Sequence, residues 1–305
     1  MSPPTEKTTA AQEYRAARTG AAVADLSRWT VLRLHGPDTR SFLQGLATQD
    51  LENPAEGALL SLFLSEKGRP VALAWVSVAP DGKSAWVLAD ESARGSLRAH
   101  FERFRVMEDV EFERPEGMPL PIGVIGPERA NLLSQLAAPI SGSIAIAADP
   151  ISFLLAQGDR AIVSGTVIHP AVFEAWRLAT GIPRAGVDFD SERIATELNL
   201  TEAISMTKGC YVGQEVVSRT SNRGQVRRRR AGFRFAWAGS PIPPRAEIRA
   251  GGVVAGYVTS SVQEPGTDSG LGMGYVTSEA LNEGAALTVG DGAASTRLTI
   301  LDWPL

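Results

Sequence analysis

The sharpest constraint on the fold of this chain is a change of pattern near residue 226. Upstream, helical and strand periodicities alternate. Downstream, residues 226–237, 251–259, 270–276 and 297–301, with a short stretch at Leu287, read as strands between Gly-rich turns, and no helix intervenes. Short strands with regular turns predict a small barrel or sandwich. At 305 residues the chain also exceeds the size at which a single core usually stops growing, so two or three domains are expected.

The upstream part divides into two mixed units. Residues 13–22 read as a helix and 30–34 as a strand, and Asp38 is placed to N-cap a helix carrying Phe42, Leu43 and Leu46 on one face. Strands at 59–64, 71–78 and 85–89 are joined by the turns Glu66-Lys67-Gly68-Arg69 and Asp81-Gly82, which makes them antiparallel. A helix at 92–103 and a strand at 110–113 close this unit before the Pro-rich segment 115–121. The second unit has a strand at 122–125, a helix at 127–136, strands near Ile144, Phe153 and 161–163, and a helix at 170–180 broken by Gly181-Ile182-Pro183. A long irregular segment through Asn199 then leads to Cys210. The expected architecture is α+β: an N-terminal α+β domain at 1–115, a second at 116–225 and a β-barrel at 226–305.

Composition excludes several function classes. One cysteine forbids an internal disulfide and a self-contained Cys-ligated zinc or iron–sulfur site, each of which needs several soft ligands. His35, His100 and His169 lack metal-ligand spacing, so no protein-held metal is expected. A net charge of -4 gives no global attraction to nucleic acid or anionic membrane. Residues 1–12 lack an apolar signal region and read as a frayed tail, and no run approaches the roughly 18 apolar residues of a membrane span. A soluble, cytoplasmic protein is expected.

The candidate chemistry gathers in Lys208-Gly209-Cys210-Tyr211-Val212-Gly213-Gln214-Glu215-Val216-Val217-Ser218-Arg219. Glycines on both sides of Cys210 suit a tight loop, and Gln214 can open a helix whose first N–H groups point back at the sulfur. Lys208 and that helix terminus would both favour a thiolate. The competing reading of a lone cysteine is a small buried residue in a turn. Glu215 and Arg219 stand at i, i+4 spacing and can simply pair with each other.

This segment, with Asn199, Leu200, Ile204 and Ser205 before it and Arg223-Gly224 after it, resembles the motif of the YgfZ family of folate-binding proteins, relatives of the glycine-cleavage T-protein. The resemblance extends to Asp25 through Trp29, Leu34-His35-Gly36-Pro37-Asp38, Phe42-Leu43-Gln44-Gly45, Thr48-Gln49-Asp50, Gly68-Arg69, Gly256-Tyr257-Val258-Thr259-Ser260 and Gly272-Met273-Gly274-Tyr275-Val276, and so covers nearly the whole chain. It implies a three-domain ring with a folate-sized opening, tetrahydrofolate as cofactor, and a role in assembling or repairing iron–sulfur proteins that indirectly supports tRNA modification. Iron–sulfur client or assembly proteins would be the partners.

Carried over residue by residue, the resemblance makes Cys210 and Lys208 the candidate catalytic pair. Trp29 and Trp176 stand where the family places folate-contacting tryptophans; their alternative is core packing. Tyr211, Gln214, Glu215 and Arg219 are further candidates for holding the cofactor. The alternative activity is a tetrahydrofolate-dependent aminomethyl-type transfer, which in T-proteins depends on an aspartate just after the first hairpin's glycine turn. No carboxylate lies between Gly68 and Asp81 here, which argues against it. Finally, Lys208, Arg219, Arg223, Arg227, Arg228, Arg229, Arg230 and Arg234 against Glu215 form a basic run able to attract a folate polyglutamate tail or an acidic partner. Direct tRNA binding is not expected.

Overall fold

The structure is a computed structural model that describes residues 9–52, 57–113, 120–140, 143–156, 165–222, 226–290 and 295–303. The expected strand at 161–163, Arg223, Gly224, the boundary at 115/116 and residue 225 lie outside these. The described chain opens with α1 (Ala10–Thr19), closed by the Thr9 side chain, which accepts from the Gln12 N–H. This helix starts and ends three residues before the expected 13–22, because Thr9 caps it and Gly20 stops it. Ala22 belongs instead to β1 (Ala22–Asp25), and residues 10–12, expected in a frayed tail, form the helix's first turn.

The first unit contains β2 (Thr30–His35), α2 (Thr39–Leu46), β3 (Leu59–Leu64), β4 (Pro70–Val78), β5 (Ser84–Ala89), α3 (Arg94–Phe104) and β6 (Glu111–Glu113). Its strands form an antiparallel sheet in the order β3-β4-β5-β2-β6. Period-2 alternation splits β3 and β4 between two cores. Phe63, Ala72, Ala74 and Val76 pack under α2 and α3, while Leu62, Leu64, Leu73 and Trp75 face the centre of the molecule. Asp38 starts α2 without capping it through its side chain; its carboxylate accepts the Asp109 N–H at 2.8 Å and ties the helix to the approach to β6.

The second unit contains β7 (Leu120–Ile125), α4 (Arg129–Ala137), β8 (Ile144–Ile146), β9 (Ile151–Ala156), β10 (Val167–Ile168) and α5 (Pro170–Thr180). Its sheet runs β10-β1-β7-β9-β8, so β1 crosses from the start of the chain into it, parallel to β10 and antiparallel to β7. His169 Nδ1 accepts the Ala171 N–H at the head of α5, and Gly181, in the left-handed region at φ 78°, ends that helix. The chain then passes through short 3-10 turns at Ala195–Leu198 and Thr201–Ala203 to α6 (Gln214–Asn222).

The remaining strands, β11 (Arg228–Ala236), β12 (Glu247–Ala250), β13 (Val253–Gln263), β14 (Ser269–Thr277), β15 (Leu287–Val289) and β16 (Thr296–Leu301), close into a barrel in the order β11-β14-β13-β12-β15-β16. Closure removes the exposed edges that an open sheet would leave. The expectation of no helix here is corrected by α7 (Ser278–Asn282), started by Thr277, whose side chain accepts the Ala280 N–H. One apolar core joins all three units: Leu62 and Trp75 from the first, Phe153 and Trp176 from the second, Leu271 and Met273 from the barrel.

Candidate functional site

Cys210 is exposed, between exposed Gly209 and buried Tyr211, on the loop that precedes α6. This rules out the inert buried-turn reading. The loop rests on the first unit at several points. Ser205 N–H donates to Thr48 O at 2.9 Å, Val212 N–H to Gly45 O at 3.0 Å, and Thr48 Oγ1 to Ala203 O at 2.6 Å. Gly213 has φ 84°, and a Cβ there would lie 2.6 Å from Ser65 O, so only glycine lets the loop descend onto the first hairpin turn. On the other side of the contact, a Cβ at Gly68 (φ 65°) would lie 2.6 Å from Val216 Cβ. The Gly68-Arg69 turn and the cysteine segment, far apart in sequence, thus meet glycine against helix.

Lys208 is 7% exposed, and its ammonium is taken up by oxygens of the first unit. Its Nζ donates to Gln44 O, Ala47 O and Gln49 O at 2.8, 2.7 and 2.9 Å, with Gln44 Oε1 at 3.3 Å. The Tyr211 ring centroid lies 5.3 Å from the same nitrogen. Burial lowers the Lys208 pKa to about 8, against the opposing pull of Asp50 and Glu52, and burial raises that of Tyr211. Sequence reasoning found Lys208 but not the oxygens that receive it. The available signal was the Phe42-Leu43-Gln44-Gly45 and Thr48-Gln49-Asp50 resemblance, which flags a helix end without saying what approaches it.

The other candidates divide. Glu215 and Arg219 are exposed and ion-paired to each other along α6, as their spacing allowed. Gln214 is half-buried in the first turn of α6. Trp29 is half-buried, 5.5 Å from Trp75 and 5.9 Å from Phe153 between ring centroids. It lines a narrow cleft of about 20 Å³ with Asp90, Phe173, Arg177 and Arg184. Trp176 is 2% exposed and stacked on Phe173 at 5.6 Å, inside the shared core. The two tryptophans therefore do not face each other across an open site; they belong to the shared apolar core that Tyr211 of the Cys210 loop also enters.

The basic run also disperses, because β11 sends alternate side chains to opposite faces. Arg230 is 1% exposed, donating to Leu198 O and Gly181 O at 2.6 Å each, with Trp303 4.5 Å from its guanidinium. Burial lowers its pKa to about 10. Arg234 pairs with Glu264 at 2.9 Å, and Arg229 Nη2 donates to Asn282. Arg227 and Arg228 are exposed. Of the expected patch, Arg230 and Arg234 prove to be structural arginines around the barrel junction.

A larger cavity of about 750 Å³ lies where the three units meet, lined among others by Leu60, Ile182, Asn199, Arg229, Leu301 and Trp303. Arg229 lines it, and its Nε is buried without a hydrogen-bond partner. Of these lining residues, the sequence singles out only Arg229, in the basic run able to attract a folate tail, and Asn199, in the family motif; Leu60, Ile182, Leu301 and Trp303 are assigned no site. Among the described residues no cluster of three or more His, Cys, Asp or Glu could hold a metal ion, and no helix is long and apolar enough to cross a membrane.

Comparisons with known proteins agree with this architecture. Residues 3–153 match the GCVT N-terminal domain, and residues 228–305 match the glycine cleavage T-protein C-terminal barrel domain. The human iron-sulfur cluster assembly factor IBA57, mitochondrial, is 27% identical over 302 residues, covering 90% of this chain and 83% of the relative. The mouse protein of the same name is 28% identical over 244 residues, covering 69% and 67%. An uncharacterized protein of Haemophilus influenzae is 26% identical over 254 residues, covering 79% and 84%. The crystal structure of the glycine cleavage system aminomethyltransferase T from Bartonella henselae superposes with a TM-score of 0.79 over 97% of this chain and 89% of that one, at 18% identity, which shows a shared fold. The chain belongs to the YgfZ/IBA57-type relatives of the glycine-cleavage T-protein.

Proposed function

We propose that this protein is an accessory factor for the assembly or repair of iron–sulfur proteins, and that Cys210 is its working thiol. The observation that carries the reading is an exposed sulfur on a loop whose flanking residues are fastened to a second unit of the fold. An accessible thiol on a fixed backbone can engage a partner's soft metal or thiol chemistry, whereas a buried one cannot. The names of the human and mouse relatives support the same reading. Any link to tRNA modification would run through client enzymes. The transferase alternative loses support from β4, which carries no carboxylate over Pro70–Val78 and turns Leu73 and Trp75 into the core.

Tetrahydrofolate held between Trp29 and Trp176 does not fit this structure. Trp176 is packed, and the Trp29 cleft of about 20 Å³ is far below the roughly 300–1,000 Å³ of a ligand pocket. The junction cavity of about 750 Å³ is of ligand size, and its unpartnered Arg229 Nε suits a carboxylate of the folate tail. In this reading folate binds at Arg229. Titrating tetrahydrofolate against the protein and its Arg229→Gln variant tests it, with tryptophan fluorescence expected to respond only in the former.

The thiol is tested by Cys210→Ala in cells lacking the protein. The variant should fold normally, because an exposed side chain is lost. It should fail to restore an iron–sulfur enzyme's activity. Full restoration would sink the assigned role.

A further inference from the structure

Lys208 Nζ makes three hydrogen bonds from the Cys210 loop to the first unit. The last carbonyls of an α-helix have no intrahelical donors and carry the negative end of its dipole. At the end of α2, Gln44 O and Ala47 O are taken up by Lys208 Nζ together with Gln49 O, at 2.8, 2.7 and 2.9 Å. An ammonium has three donors, and these carbonyls match them in number. Gln44 buttresses the cradle: its Nε2 donates to Asp50 at 2.9 Å, and its Oε1 accepts Leu51 N–H at 2.7 Å besides facing Lys208. The Tyr211 ring covers the other side. Two residues beyond Cys210, Val212 N–H donates to Gly45 O at 3.0 Å. The exposed thiol is thus held from both sides by the end of one helix.

We propose that Lys208 is the positioning residue of Cys210: its ammonium fastens the loop to the end of α2 and so fixes where the thiol is presented to a partner. The inference rests on the function proposed above only in making the thiol's position useful. The fastening itself is independent of that use. It reassigns Lys208 from an activator of the sulfur to a clasp on the backbone that carries it.

The test reads the loop directly in the full-length protein. In Lys208→Ala, the Val212 amide should exchange with deuterium about 10-fold faster, the effect of losing charge-assisted bonds at a local opening. Methylammonium, which can refill the cradle with N–H donors, should slow that exchange back towards the wild-type rate. Tetramethylammonium, which has no donors, should not. Gln44→Met keeps the charge and the carbonyls, so it should fold even where Lys208→Ala does not, and Val212 exchange should rise about 3-fold. Exchange unchanged in the variants that fold, or equal action of the two cations, overturns the clasp. A clasp confirmed in this way, alongside an active Cys210→Ala protein, would overturn the proposed function alone.

Discussion

At the residue scale, the sequence speaks clearly where a short-range rule decides the outcome. The Glu215–Arg219 pair follows from helical spacing, and Cys210 is singled out by its two glycines. The direction of Lys208 does not follow, because its acceptors lie some 160 positions earlier and the segment carrying it is irregular. His100 shows the same limit. It reads as a surface or locally bonded histidine, yet it is 6% exposed, with ring centroids 4.9 Å from Phe104 and 6.2 Å from Phe63, and its Nε2 has no partner. Burial lowers its pKa to about 4, outweighing the opposing pull of Glu66. The unfolded chain therefore takes up a proton near pH 6.5 that the folded protein refuses until about pH 4, so stability falls as pH drops through that window. The loss should reach about 3 kcal/mol. In urea unfolding at stepped pH, His100→Leu should flatten this acid slope; an undiminished slope in the variant would assign it to other groups.

At the element scale, periodicity locates most helices and strands, and errors collect at their ends and at backbone contacts between elements. The 13–22 helix prediction misses because Thr9 and Gly20, rather than the apolar pattern, set its limits. The two glycines of the cysteine loop look equivalent in sequence and are not. A Cβ at Gly209 would meet nothing within 4 Å, whereas one at Gly213 would strike Ser65 O at 2.6 Å with φ at 84°. Gly213→Ala should cost about 3 kcal/mol, combining left-handed strain with overpacking against the β3–β4 turn. Gly209→Ala should change stability by less than about 0.5 kcal/mol. Chemical denaturation of the two variants checks this, and equal losses would mean that the contact between α6 and the hairpin turn is not what demands a glycine at 213.

At the scale of the whole molecule, the barrel and the two α+β units are legible from the pattern change near 226, but their joints are not. Alternation announces β2 at 30–34 but not β1, whose residues the pattern leaves to a helix end and a loop and which proves to join the second sheet. The joint to the barrel is also built on a residue the sequence leaves unremarked. Asp188 is 1% exposed and accepts Arg177 Nη1 at 2.7 Å from α5, Arg184 N–H at 2.9 Å, and the β13 hydroxyls of Thr259 and Ser260 at 2.6 Å each. Burial works to raise its pKa, but the Arg177 guanidinium and these donors outweigh burial and hold the carboxyl below the usual range. Its contribution is therefore present above the ordinary carboxylate pKa and fades as pH falls below it. Asp188→Asn keeps the shape while leaving Arg177, itself 3% exposed, with only Glu174 to balance it. Removing one partner of a buried pair costs about 3 to 5 kcal/mol. Because that partner bridges α5 and the barrel, the loss should fall on their docking more than on either core. Scanning calorimetry of Asp188→Asn should show the barrel melting earlier than the rest, with the linker at 183–200 becoming the first site of proteolysis. A single transition at the wild-type temperature would show that the shared apolar core alone holds the three units together.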